Sequence, residues 1–227
     1  CSITALPPLI RPTAMNVLVV ADVHGCYRTL KRLVELHWKT GGEFLVFAGD
    51  LVNKGRRSAK VVEYVRSLQL DFPYHVFVVK GNHELMFEES ILDGKIFPVV
   101  EKTKKDFIKR EVSMRKTAEW MRSLPLKWET PYLLVTHAGV AATARDPYNA
   151  FSSRGVLHNR SPLRSVGKLQ LFGHVVQLTG KPTFFAAPRA WGIDTGCWRG
   201  GGLSALRIGY EGSVIQVIQE PTDPTDL

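Results

Sequence analysis

The chain has little cysteine and no long hydrophobic run, and each shortage removes a class of protein. Three of its 227 residues are cysteine (Cys1, Cys26 and Cys197), with no Cys-x-x-Cys spacing among them. That argues against a disulfide-stapled extracellular scaffold and against a zinc-ribbon site. A reducing, cytoplasmic setting is expected, with Cys26 and Cys197 as small, partly buried apolar residues. No apolar stretch approaches the ~20 residues of a membrane-spanning helix, so no membrane partner is expected. Internal repeats, low-complexity tracts and a linker are also missing. One domain is therefore expected over residues 15–220, after an extended arm at 1–14 and before a short tail at 221–227. Acidic residues are in deficit, 21 against 30 Lys and Arg, for a net charge of +9. A basic surface concentrates polyanions such as nucleotides, polyphosphate or RNA. Much of the excess falls in residues 101–122, where eight Lys/Arg meet four Asp/Glu, and a solvated helix face is the simpler reading there.

What the chain does have is five short motifs in fixed order. They are Asp22-Val23-His24-Gly25, Gly49-Asp50-Leu51-Val52-Asn53-Lys54-Gly55, Gly81-Asn82-His83-Glu84, Thr136-His137-Ala138-Gly139 and Phe172-Gly173-His174. Each follows an apolar run that reads as a buried strand. The runs at 15–21, 43–48 and 74–79 alternate with helical spacing at 27–38 and 58–68, a βαβαβ order that implies a parallel sheet with ligands beyond its carboxyl ends. The stretch 88–124 reads as amphipathic helix, anchored by Phe107, Ile108, Trp120 and Met121, and 132–136 as a strand. Residues 141–167 read as loop. After them only strands are expected, at 169–172, 183–185, 191–194, 203–208 and 214–218, separated by Gly-rich turns. A second sheet packed on the first makes an α/β fold, a two-sheet β-sandwich flanked by helices.

Those strand ends gather Asp22, His24, Asp50, Asn82, His137 and His174, a hard and borderline donor set suited to two divalent ions, Mn above all, with Fe, Zn or Co as fits. Asp22, His24 and Asp50 are assigned to one ion; a bridging Asp50 with Asn82, His137 and His174 holds the other. A lone histidine after a strand is more often structural, and a lone aspartate is often a helix cap. Four of the seven histidines at strand ends beside glycine defeat that reading; His37, His75 and His158 lack the context and are read as structural or surface residues. Two cations would bind phosphoryl oxygens and acidify a shared water for in-line attack. Asp50 and His83 are thus the expected catalytic residues, with His83, beside Asn82, as the general acid. Lys54, Asn82, Arg160 and Arg154 are the candidates for gripping phosphate.

These motifs resemble those of the calcineurin-like metallophosphoesterases of the phosphoprotein-phosphatase superfamily, whose pattern is GDxHG, GDxVDRG, GNHE, HGG and GH. Here Ala21 replaces the leading Gly, Asn53-Lys54 stands where the phosphoprotein phosphatases carry Asp-Arg, and His137-Ala138-Gly139 replaces HGG. The Asn-Lys version looks like the diadenosine-tetraphosphatase-like branch. Gly192-Ile193-Asp194-Thr195-Gly196-Cys197 with Gly201-Gly202-Leu203-Ser204-Ala205-Leu206-Arg207 is similar to the DTGC…GGxLTxLR segment of the bacterial symmetrical enzymes. The resemblance implies the family's sandwich architecture and a metal-dependent split of diadenosine tetraphosphate into two ADP, with mRNA-cap or polyphosphate cleavage in related members. A Ser/Thr phosphoprotein phosphatase on the same site is the alternative. A degenerate binding module is disfavoured, since neither a metal ligand nor the acid is missing. Loop 141–167 is much shorter than its bacterial counterpart, so nucleoside contacts cannot be carried over. In the family the Asp that Asn53 replaces pairs with the general-acid histidine, and the Arg that Lys54 replaces grips phosphate. Asn53 is therefore expected to orient His83 without stabilising its imidazolium.

Overall fold

Strand β1 (Asn16–Val20) shows how the molecule is layered. Its alternate residues Leu18 and Val20 join one hydrophobic core, while Val17 and Val19 join another. A strand buried on both faces needs an unbroken apolar run, and Val17-Leu18-Val19-Val20 provides it. The computed structural model describes residues 15–227; the arm expected at 1–14 lies outside the described residues.

From β1 the chain runs through α1 (Tyr27–His37), β2 (Glu43–Phe47), α2 (Ser58–Asp71) and β3 (Val76–Val78). Three helices follow, α3 (Asn82–Leu92), α4 (Pro98–Lys109) and α5 (Met114–Arg122), then β4 (Lys127–Glu129), β5 (Leu133–Thr136), β6 (Leu169–Phe172), β7 (Thr183–Phe185), β8 (Ala190–Gly192), β9 (Leu203–Ile208) and β10 (Val214–Glu220). Two five-stranded sheets result, ordered β10-β9-β1-β2-β3 and β4-β5-β6-β8-β7. Strands β1, β2 and β3 are parallel, as are β5, β6 and β8; antiparallel β9 and β10 extend the first sheet beyond β1, and antiparallel β4 and β7 edge the second on either side. One core lies between the sheets, built from Val17, Val19, Val46, Leu133, Val135, Leu171 and Leu206. The larger core lies between the first sheet and the helices, where Leu18, Phe47, Leu33, Val65, Phe87, Phe107 and Met121 meet.

Three features differ from the expectation. The 88–124 stretch is three helices, broken where Pro98 starts α4 and where Ser113 Oγ accepts from Lys116 N to cap α5. Helix α3 begins at Asn82, ahead of the helical stretch expected from residue 88, so the Gly-Asn-His-Glu motif is a helix start. A further strand, β4, pairs with β5 and tucks Trp128 between Phe44 and Phe77. The last residues pack on the body. A 3-10 turn at Pro224–Asp226 buries Asp226, whose carboxylate accepts from the backbone of Arg28 and Thr29 and pairs with Arg57 at 3.1 Å. Cys26 and Cys197 are buried free thiols.

Candidate metal centre

All five motifs come together at the carboxyl ends of the parallel strands. The backbone there is strained. Of the eight non-glycine residues with positive φ among the described residues, six are Asp22, His24, Asp50, Asn53, Lys54 and His174. Such conformations persist where the surroundings over-determine them, and they cluster at functional sites. Close approach needs glycine at two joints: a Cβ on Gly81 would fall onto Asp50 Oδ1, and one on Gly173 onto Asp22 Oδ2. Glu84 ties the loops to α3, its carboxylate accepting from the N–H groups of Asp50 (2.7 Å), Leu51 (2.8 Å) and Gly81 (2.8 Å).

Two groups of donor atoms share Asp50. One is His24, Asp50 and His83; the other is Asp50, His137 and His174; within each, the donor atoms lie within 4.8 Å of one another. Asn82 joins the second, its Oδ1 lying 2.9 Å from His137 Nε2 and 3.1 Å from His174 Nδ1. Asp22 belongs to neither group. Its carboxylate accepts from His174 N (3.0 and 3.1 Å), and it feels the charges of Asp194 and Asp50.

The tautomers show what the cluster is built to hold. His24 Nδ1 lies 2.9 Å from Val52 O and His137 Nδ1 2.9 Å from Ala48 O, so both nitrogens must carry the proton. In the neutral ring each Nε2 then turns a lone pair inward, towards Asp50 at 3.3 Å in both cases. His137 Nε2 also faces the lone pairs of Asn82 Oδ1. Lone pair against lone pair is repulsive without a cation between them, and a backbone carbonyl holding the far nitrogen is the usual support of a metal-binding histidine. His174 adds an orphan: its Nε2 is buried with no hydrogen-bond partner. Lys54 Nζ, 2.8 Å from His24 Nε2, supplies a positive charge to one of these lone pairs. The residues fit divalent ions.

Burial sets the charge states. It pushes the imidazoles of His24 and His174 down to about 3, leaving both neutral and ready to ligate near neutral pH. Burial works to raise Asp50, but His137, His83 and His24 together with the His83 N–H outweigh it and hold the carboxyl well below the usual range. Asp22 is raised, first by burial and then by Asp194 and Asp50. His83 is lowered by burial, against the pull of Asp50.

Around His83 the hydrogen bonds run in one direction. Thr103 Oγ1 donates to Asn53 Oδ1 at 2.7 Å, which leaves the Asn53 amide to donate to His83 Nδ1 at 2.9 Å. The neutral His83 therefore carries its proton on Nε2, 3.9 Å from Asp50 Oδ2. Lys54 Nζ also lies 5.1 Å over the Trp198 ring. The two loop arginines are exposed: Arg154 donates to Thr143 Oγ1, while Arg160 is near enough to His174 for its charge to be felt there.

Sequence reasoning passed over three residues. Asp194 is buried behind Asp22, and its own carboxyl is raised, first by burial. Its position after an apolar strand is the signal that singled out Asp22 and Asp50. His158, read as structural or surface, is half-buried, and that burial lowers its imidazole. Thr103 sits on a charged helix and carries no local signal.

Residues 15–191 match the calcineurin-like phosphoesterase family. The chain belongs to that family. Among relatives, the symmetrical bis(5'-nucleosyl)-tetraphosphatase of Aeromonas salmonicida is 33% identical over 135 residues, which are 56% of this chain and 47% of that protein. The chain thus spans about half the length of the curated relatives it matches. A crystal structure provisionally designated a diadenosine tetraphosphatase superposes with a TM-score of 0.69 at 24% identity, covering 95% of this chain and 97% of that one. A cold-active protein-tyrosine phosphatase from a psychrophilic Shewanella gives a TM-score of 0.64 at 17% identity, over 93% of this chain and 81% of its own. At these identities the two structures speak for the fold, the two-sheet metallophosphoesterase sandwich.

Proposed function

We propose that this phosphoesterase is a dinuclear hydrolase of phosphoanhydride bonds, with diadenosine tetraphosphate, split to two ADP, as its substrate. The observation that carries the reading is the pair of donor groups sharing Asp50, with the protons of His24 and His137 held away from the centre by backbone carbonyls. The substrate is supported by the relatives named symmetrical bis(5'-nucleosyl)-tetraphosphatase and by Asn53-Lys54 in place of an Asp-Arg pair.

His24, Asp50, His137, His174 and Asn82 would hold two divalent ions, Mn above all, with Asp22 alongside. When bound, such ions neutralise phosphoryl oxygens and make water a competent nucleophile near neutral pH. The remaining steps belong to the protein. Lys54 and Arg160 offer positive charge to the phosphate oxygens, and Asn82 adds an amide. His83, in its protonated form, would give its Nε2 proton to the leaving phosphate oxygen and return to the neutral imidazole, with Asn53 orienting the ring through Nδ1. Proton transfer of this kind contributes about 10²–10⁴-fold.

The test is product analysis. Metal-stripped protein plus Mn is incubated with diadenosine tetraphosphate, beside phosphopeptide and capped-RNA controls. Two ADP should form, need the metal, and fall by about 10²-fold or more in His83→Ala. Brisk phosphate release from the phosphopeptide without turnover of the dinucleotide would overturn the reading in favour of a Ser/Thr phosphatase. Turnover of capped RNA alone would move the substrate to the cap.

A further inference from the structure

Beside the donor cluster runs a cleft of about 480 Å³. Ala138 and Val175, which line it, directly follow His137 and His174, so cleft and cluster share their walls. The volume lies within the ~300–1,000 Å³ typical of sites for small organic molecules. Its lining is mainly apolar and partly aromatic: the rings of Phe172 and Phe185 stand 6.0 Å apart, tilted by 35°. Its rim leaves apolar surface in water, with Leu178 fully extended into solvent and Phe185 40% exposed. Exposed apolar side chains grouped around a concavity mark a binding surface.

The polar groups are few and fixed. Asn159 is buried; its Oδ1 accepts from Ser161 N (2.9 Å) and its amide donates to Ser161 O (3.2 Å) and Ala138 O (3.4 Å), which rigidifies the wall. Gln177 is buried too, its Nε2 donating to Val175 O at 2.7 Å while Oε1 has no donor among the described residues. Arg160 belongs both to this lining and to the electrostatic surroundings of His174.

A polyanion with a flat apolar end would find its two halves matched here, charge at the cluster and π-surface in the cleft. We propose that this cleft is the subsite for a purine nucleoside, whose phosphate chain passes Arg160 to reach the metal cluster. The base stacks against Phe185, and the Gln177 amide meets its polar edge. The proposal rests on the phosphoanhydride-hydrolase reading for its substrate, but not for its geometry. The larger cleft of Arg56, Arg57, Lys105, Lys109 and Arg110 has positive charge but no flat apolar wall, so it does not compete for the base.

Two readouts separate the subsite from the reaction. Adenosine titrated into the Zn-loaded protein, carrying ¹³C-labelled methyls, should shift Val175, Val176 and Leu178 to saturation and leave Val61 and Val65 on α2 unmoved. Phe185→Ala should weaken that binding about tenfold, the scale of one lost base–aromatic contact. Leu178→Asp, at a fully exposed position that folding does not depend on, should weaken it as well. In turnover, both variants should lower the ratio of kcat/KM for diadenosine tetraphosphate over p-nitrophenyl phosphate by a similar factor. Shifts at the cleft without dinucleotide hydrolysis would leave the subsite standing and remove the proposed reaction. Dinucleotide hydrolysis with no cleft shifts up to millimolar adenosine and an unchanged ratio would overturn the subsite alone.

Discussion

Asn53 does at the scale of one residue what an aspartate cannot. Its amide donates to His83 Nδ1, because Thr103 occupies its oxygen, and so fixes a neutral imidazole with the proton on Nε2. An aspartate at 53 would instead accept from Nδ1–H and place a negative charge beside the ring. The sign of the consequence follows. A neighbouring carboxylate favours the imidazolium, so Asn53→Asp should raise the His83 pKa from its burial-lowered value, by about one unit or more. The protonated acid then survives to higher pH, and the alkaline limb of the pH–rate profile should move up by a similar amount. A kcat/KM profile that superposes on that of the unsubstituted enzyme would show that Asn53 plays no part in setting the proton of His83.

At the scale of elements, the site is built from strand exits, and these were the most legible parts of the sequence. The apolar runs before Asp22, Asp50, His137 and His174 each belong to a strand in contact with a core, so burial wrote them into the composition. Helix α1 and strand β9 stand where their spacing put them for the same reason. Helix α3 was not legible at its start: Asn82 to Leu85 and Phe87 to Ser90 are buried, so no polar face betrays a helical period. Strand β4 has three residues, too few to show alternation, and its tertiary partners Phe44 and Phe77 are remote in sequence. The grouping of donors was not legible either. Which nitrogen turns inward is decided by Ala48 O and Val52 O, backbone atoms with no sequence signature. The exit from β6 gives a test at this scale. Gly173→Ala would drive a Cβ onto Asp22 Oδ2, forcing apart two strand ends. Titration with Mn should show affinity weakened by about tenfold or more, the scale of effect seen when the support of metal ligands is disturbed. Unchanged affinity would mean that the Asp22–His174 contact does not shape the centre.

For the whole molecule, the two sheets face their parallel strands the same way, so the loops from both converge on one rim. From the first sheet come Asp22, His24, Asp50 and, through α3, Asn82 and His83; from the second come His137 and His174. The second sheet also borders the apolar cleft, so the proposed phosphate chemistry and nucleoside recognition would be divided along the same seam. Asp50 is the residue common to both donor groups, and the account as a whole depends on its bridging role. The most direct measurement is therefore metal stoichiometry by equilibrium dialysis against Mn, on the unsubstituted protein and on Asp50→Asn. The account predicts two ions per chain, and loss of both from high-affinity sites in the variant, since each group gives up its shared carboxylate. A single ion per chain, or two ions that survive in Asp50→Asn, would contradict it.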